Sequence, residues 1–192
     1  MPERQTLGRR ARSARGDGVS GQKGTGPLDV VLTLLISVVL VFGVVRPFIV
    51  EAYYVPSGSM EPTLMPGDRV LAAKFYYRFF KPQRGDLVVF SDPGIPRETL
   101  VKRVVGLPGD TVAIKDGILY INGEPKKEPY VDHRLTDSTF FGPVRVPRGH
   151  VFVMGDNRTN SVDSRSFGPV PQGDLLGKVF LRFWPLDRMG IP

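Results

Sequence analysis

Five times along the chain a glycine, followed in four cases by aspartate, stands just ahead of a short apolar run. The segments are "MPGDRVLAA" (65–73), "QRGDLVVF" (83–90), "LPGDTVAI" (107–114), "PRGHVFVMGD" (147–156) and "PQGDLLGKVF" (171–180). Glycine reaches the positive φ of a tight turn, and aspartate can hydrogen-bond its own backbone. The runs of Val, Leu, Ile and Phe that follow are as short as strands. Their irregular spacing excludes a solenoid. Asn122-Gly123, between extended stretches of "GILYINGEPKKEPYV" (117–131), marks a hairpin. The chain has 22 Gly and 18 Pro in 192 residues, and no long amphipathic helix follows residue 50. The pattern predicts one mainly β domain of coiled, largely antiparallel sheets over 51–192, with a short helix around Leu71–Phe79. An apolar content of 41% is enough for a core and excludes global disorder. Cysteine is absent, which excludes disulfides and thiolate metal sites and leaves the redox compartment open.

The opposite physics governs "VVLTLLISVVLVFGVV" (30–45), sixteen residues without a charge. As a helix it covers roughly 24 Å, short of a hydrocarbon core of about 30 Å. Extended from Pro27 to Val50 it reaches about 36 Å, with Asp29 and Arg46 near the headgroups. A buried core helix would show a polar stripe, but only Thr33 and Ser37 interrupt this face. A cleavable signal peptide needs a small-x-small site, and "RPFIVEAYYVP" offers no good one. The reading adopted is a single N-terminal transmembrane helix over 27–50. Residues 1–26 form a basic arm: Arg4, Arg9, Arg10, Arg12, Arg15 and Lys23 against Glu3 and Asp17 leave +4 of the chain's +7. Such an arm is expected to be disordered and cytoplasmic, with residues from 51 onward outside. Positive charge spent at a membrane face weighs against nucleic acid as a partner. "AAKFYYRFF" (72–80) would suit base stacking or lipid headgroups, but a segment capping the core is the simpler reading.

The chemistry concentrates in "PSGSMEPTL" (56–64), where Ser59 follows Ser57 by two residues. A serine nucleophile needs a base within hydrogen-bond reach. The chain's two histidines, His133 and His150, sit in a charged loop and at a turn, and neither is well placed. Lys102, in "ETLVKRVVGLPGD" (98–110), alternates with Leu100 and Val104 on what reads as a core face, and Arg103 points the other way. Burial disfavours a charged lysine, and a neutral amine can take a serine proton. The same spacing also fits a lysine that snorkels to the sheet edge and does nothing. No phosphate loop, dinucleotide fingerprint or metal-ligand spacing is present, so no cofactor or metal is expected. Asp110, Asp156 and Asn157 read as turn residues.

"PSGSMEPTL", "KRVVGLPGD" (102–110), "GDNRTNSVDSRSFGPV" (155–170) and, more weakly, "RGDLVVF" (84–90) resemble the signature boxes of bacterial type I signal peptidases. The resemblance runs from about residue 28 to 185. It implies coiled antiparallel sheets of the signal-peptidase type behind a membrane anchor, with a small insertion at about 115–146. It implies a membrane-bound Ser/Lys endopeptidase that removes signal peptides from exported preproteins after small-x-small sites. Ser59 would be the nucleophile and Lys102 the general base. Ser57 would assist the oxyanion, Ser161 would orient the lysine, and Asp163 and Arg165 would form a supporting ion pair. Tyr53, Val55, Pro56, Leu64, Leu100 and Val101 would wall the substrate pocket. Many members carry Asp where Thr159 stands, so no role of that carboxylate transfers. The implied partners are preproteins and the lipid bilayer, the implied place is the bacterial cell membrane, and a monomer is expected. Two other readings are a catalytically inactive membrane-tethered binding domain, and a self-cleaving Ser/Lys protein, for which no DNA-binding motif is visible.

Overall fold

A computed structural model describes residues 26–41, 43, 49–132 and 140–192. Among them eleven antiparallel strands form two sheets. The seven-stranded sheet has the order β1-β2-β11-β3-β4-β9-β10. Its members are β1 (Val50–Tyr54), β2 (Arg69–Ala73), β3 (Leu87–Ser91), β4 (Thr99–Gly106), β9 (His150–Met154), β10 (Val170–Pro171) and β11 (Leu175–Trp184). The second sheet is built between β4 and β9. Its order is β7-β6-β5-β8, from β5 (Thr111–Lys115), β6 (Ile118–Ile121), β7 (Glu124–Pro125) and β8 (Phe141–Arg145).

The glycine turns do start strands. Gly67, Gly85, Gly109 and Gly149 take φ of 95°, 94°, 90° and 74°. In three of these turns the aspartate oxygen accepts the backbone N–H three residues back: Asp68 from Met65, Asp86 from Gln83 and Asp110 from Leu107, at 2.9, 3.0 and 2.7 Å. The fifth turn is a 3-10 turn, Gln172–Asp174, and Gly173 needs no positive φ there. Asn122-Gly123 joins β6 to β7 with φ of 55° and 85°, as a two-residue hairpin requires. A second such hairpin, Asp116-Gly117 (φ 50° and 75°) between β5 and β6, is a feature the sequence reading passed over.

Two expectations need correction. Residues 69–73 are a strand, and only Tyr76–Phe79 form a helix. Leu71 lies opposite both Ala52 of β1 and Leu181 of β11, so pairing on both sides holds it extended. At the N-terminal end, helix α1 spans Pro27–Leu40, fourteen residues. No helix among the described residues is long and apolar enough to cross a membrane, and Val50, taken as the end of the anchor, begins β1. The basic arm to residue 25 and Arg46 lie outside the described residues, as does His133.

Strands β3 and β4 are covered on both faces. Val88, Phe90 and Val104 pack with Val151, Val153 and Val170, while Leu87 and Val89 pack with Val55, Met60, Leu64 and Val70. A third cluster, Val105, Val112, Leu119, Ile121, Phe152 and Met154, ties the second sheet to the first. Gly106 sits at this junction. A Cβ there would lie 2.7 Å from Val112 Cγ2 and 2.9 Å from Phe152 Cβ. Gly106→Ala should therefore lower unfolding free energy by about 1–3 kcal/mol in urea titrations, as overpacking does. A variant as stable as the native chain would disprove this close approach.

Candidate active site

The segment after β1 is shaped by what it buries. Pro56 ends the strand, and Gly58–Met60 make one 3-10 turn. Met60 and Leu64 are fully buried, which pins the turn and leaves Ser59, just before them, half-exposed. Ser57, extended at φ −128° and ψ 160°, brings its Oγ to 3.4 Å from Ser59 Oγ.

Lys102 comes from β4, opposite Val88. It is buried, with 3% of its surface accessible, and its Nζ lies 2.7 Å from Ser59 Oγ. Burial pushes the Lys102 amine down to about 8. The Asp163 carboxylate is the strongest charge acting against that shift, and Arg165 works in favour of it.

Residues 155–165 form the third wall. Asp163 is fully buried and caps the short helix Ser164–Phe167. Arg165 grips it with two bonds of 2.9 Å, Nε to Oδ1 and Nη2 to Oδ2. Burial alone would raise the Asp163 carboxyl. The Arg165 bonds and charge, with the Gly155 N–H at 3.0 Å, outweigh it and hold the carboxyl below its ordinary range. Ser161 Oγ is buried and lacks a hydrogen-bond partner among the described residues. It lies against Gly155, where a Cβ would collide with both Ser161 Oγ and the Ser59 carbonyl. Thr159 is exposed and donates to Asn157 Oδ1 at 3.1 Å.

A cavity of about 50 Å³ opens beside Ser59 and Lys102. Tyr53, Val55, Pro56, Leu100 and Val101 line it, as do Tyr54, Met60 and Thr99, which the sequence reading did not single out. Leu64 does not reach this lining; it is a core residue with no accessible surface. His150 starts β9, with Nδ1 3.0 Å from the Arg148 carbonyl oxygen.

Other residues were missed because their partners are far away in sequence. Asn157 is buried, its N–H donates to the Ser59 carbonyl and its Nδ2 to the Gly58 carbonyl, both at 3.2 Å. Asp156 is more than a turn residue. It takes two bonds from buried Arg103, at 2.8 and 2.7 Å, and one from Thr63 at 2.6 Å. The one available signal was Arg103 itself, a cation inside "VKRVVG" that needs a buried partner. Asp110 does serve its turn, bonding Leu107 and Asn122, and also pairs with Arg84 at 2.9 Å.

Ser59 and Lys102 thus meet in a domain of antiparallel sheets, beside a loop held by ion pairs. The model of the family described as "Signal peptidase, peptidase S26" matches residues 28–184. A probable signal peptidase I-2 of Synechocystis is 41% identical over 169 residues, 85% of this chain and 76% of that protein. Signal peptidase I of Leptolyngbya laminosa is 41% identical over 180 residues, covering 89% and 87%. Signal peptidase I P of Bacillus subtilis subsp. natto is 40% identical over 178 residues, covering 88% and 95%. A crystal structure of a signal peptidase I from Enterococcus faecalis V583 aligns at a TM-score of 0.46 and 38% identity, over 52% of this chain and 97% of that one. The chain belongs to the signal peptidase family, peptidase S26. It is an enzyme, a serine peptidase of the signal peptidase I type.

The depressed Lys102 value has a measurable cost. Between about pH 8 and 10.5 the unfolded chain binds the proton that the folded chain has lost. Stability therefore rises with pH through that window, and below it the penalty, on the order of 3 kcal/mol, applies in full. Lys102→Met should be more stable than the native chain in urea titrations at pH 7, with the gap closing by about pH 10.5. A variant less stable at pH 7 would contradict a costly burial.

Proposed function

We propose that this chain is a membrane-bound endopeptidase that removes signal peptides after small-x-small sites, with Ser59 as nucleophile and Lys102 as general base. The observation that carries this reading is the 2.7 Å approach of the Lys102 amine to the Ser59 hydroxyl inside a buried niche. At an amine value of about 8, roughly a tenth of the lysine is neutral at pH 7, against about one part in a few thousand in water. The neutral Nζ takes the Ser59 proton as Oγ attacks the scissile carbonyl carbon. The Ser59 N–H and the Ser57 hydroxyl then stabilise the oxyanion, which in acyl transfer is worth a few kcal/mol. Lys102, now an ammonium, donates to the leaving amine, and the acyl-enzyme forms. Lys102 next deprotonates a water, whose attack on the ester carbonyl restores Ser59. Asp163 and Arg165 hold the wall behind the amine, and the buried Ser161 hydroxyl lies between that carboxylate and the Ser59 turn.

Two strand edges support an extended peptide substrate. Among the described residues, strand β1 pairs only with β2, and Thr99–Lys102 of β4 pair only with β3, because β9 begins its pairing at Arg103. A peptide strand added between these edges would be held by its backbone, and pockets would read alternate side chains. The cavity beside Ser59 is small, about 50 Å³, which supports the small-residue preference. For the anchor, support comes from α1 and the sequence around it. All of Leu28–Leu40 is exposed and apolar apart from Asp29, Thr33 and Ser37, as suits a lipid-facing helix. The basic arm would then lie in the cytoplasm and residues from 51 outside, facing preproteins at the bilayer surface.

Purified full-length protein in detergent, given a preprotein with an Ala-x-Ala site, should cut after the second alanine. Ser59→Ala and Lys102→Ala should each lose at least about a thousandfold in kcat/KM. Near-native cutting by Lys102→Ala would end the dyad assignment. The native kcat/KM should rise with pH along a limb centred near 8, the value of the buried amine. In sealed inside-out vesicles added protease should spare the β domain; digestion there would reverse the topology.

A further inference from the structure

Glu128 lies just past β7, far in sequence from Ser59 and Lys102, yet it is buried. A solvated glutamate would be expected in "PKKEPYV" (125–131). The segment is stitched down instead. The Lys126 N–H donates to the Leu119 carbonyl at 2.8 Å, and Val131 N–H to the Glu128 carbonyl at 3.1 Å. The Glu128 carboxylate takes both terminal nitrogens of Arg158, at 2.7 and 2.6 Å, and both side chains are about 95% buried. Tyr130 adds its hydroxyl to Glu128 Oε1 at 3.0 Å, and its ring lies under the Arg103 guanidinium, 3.9 Å from carbon to centroid.

Arg158 leads from there to the reacting groups. Its Nε donates to the Gly155 carbonyl at 3.0 Å, closing the loop on itself. Its own carbonyl accepts from Arg165 Nη1 at 2.7 Å. Arg165 holds Asp163, the carboxylate with the largest charge effect on Lys102. Asn157, the residue before Arg158, holds the Gly58 and Ser59 carbonyls. Movement of Arg158 would therefore disturb the Ser59 turn and the Lys102 wall together. Planar, bidentate Arg–carboxylate pairing fixes both distance and plane, so the anchor is rigid.

We infer that Glu128 is a positioning residue for catalysis: through Arg158 it sets the loop 155–165 that aligns Ser59 with Lys102. This rests on the reading of Ser59 and Lys102 as the reacting pair. The substrate edges of β1 and β4 are held by other strands, so kcat should suffer and KM should not.

The test uses full-length protein in detergent with the Ala-x-Ala preprotein, and kcat is divided by the folded fraction from near-ultraviolet circular dichroism. Glu128→Gln should lower kcat at least tenfold with KM within twofold of native. Glu128→Asp, which keeps the charge, should recover part of the loss. Glu124→Gln is the control: it breaks an exposed pair with Lys126 on the same segment and should leave kcat unchanged. Should Glu128→Gln fail to fold, Tyr130→Phe, which removes one bond to the carboxylate, should lower kcat two- to fivefold. Native kcat per folded molecule in Glu128→Gln, or in Tyr130→Phe as its substitute, overturns the inference, as does a loss that falls on KM alone. A native chain that cuts nothing overturns the Ser59/Lys102 reading itself, and is distinguished by failing before any variant is compared.

Discussion

The environment of the Lys102 amine depends on a balance of three effects. Burial disfavours the ammonium, the carboxylates of Asp163, Asp92 and Asp156 favour it, and Arg165 disfavours it again. Arg165 adds to burial, and its guanidinium offsets part of the pull that the nearby carboxylates exert on the amine. Asp163 caps a helix and holds Gly155, and burial of the amine outweighs the pull of its carboxylate on the lysine proton. The ion pair keeps a structural carboxylate close to an amine that burial holds below its ordinary range.

The same logic extends around the loop. Arg103–Asp156, Arg158–Glu128 and Arg165–Asp163 are three pairs with little accessible surface, each close to charge-neutral. Buried pairs seldom add much stability over apolar packing, but removal of one partner is expensive. What they supply here is geometry. Each pair has members distant in the chain or at a bend, and each fixes the direction of a backbone segment that meets Ser59 or Lys102.

Much of the fold was legible because it is local. A glycine at positive φ followed by an aspartate that bonds three residues back is a device contained in four residues, and it correctly announced β2, β3 and β5. Ser59 and Lys102 were legible for a related reason: a serine in a Pro/Gly turn and a lysine among valines are each unusual by themselves. What escaped was non-local. Leu71–Ala73 carry no sign that β1 and β11 will flank them, so the aromatic run after them extended the expected helix too far back. Glu128 looks like one more charge in a polar segment, and only the folded chain shows Arg158 thirty residues away beside it. Asn157 offered no warning at all, since an asparagine in a turn needs no second task.

Under the proposed function, the edges beside Ser59 that carry no partner strand among the described residues bear on client selection. Main-chain groups that await a partner strand can be satisfied only by a polypeptide whose own amides are uncommitted. A compact, finished protein keeps those amides inside its helices and sheets and has nothing to offer them. Selection by conformational state would thus come before any inspection of side chains, and mature proteins crowded near the enzyme would be spared simply by having folded.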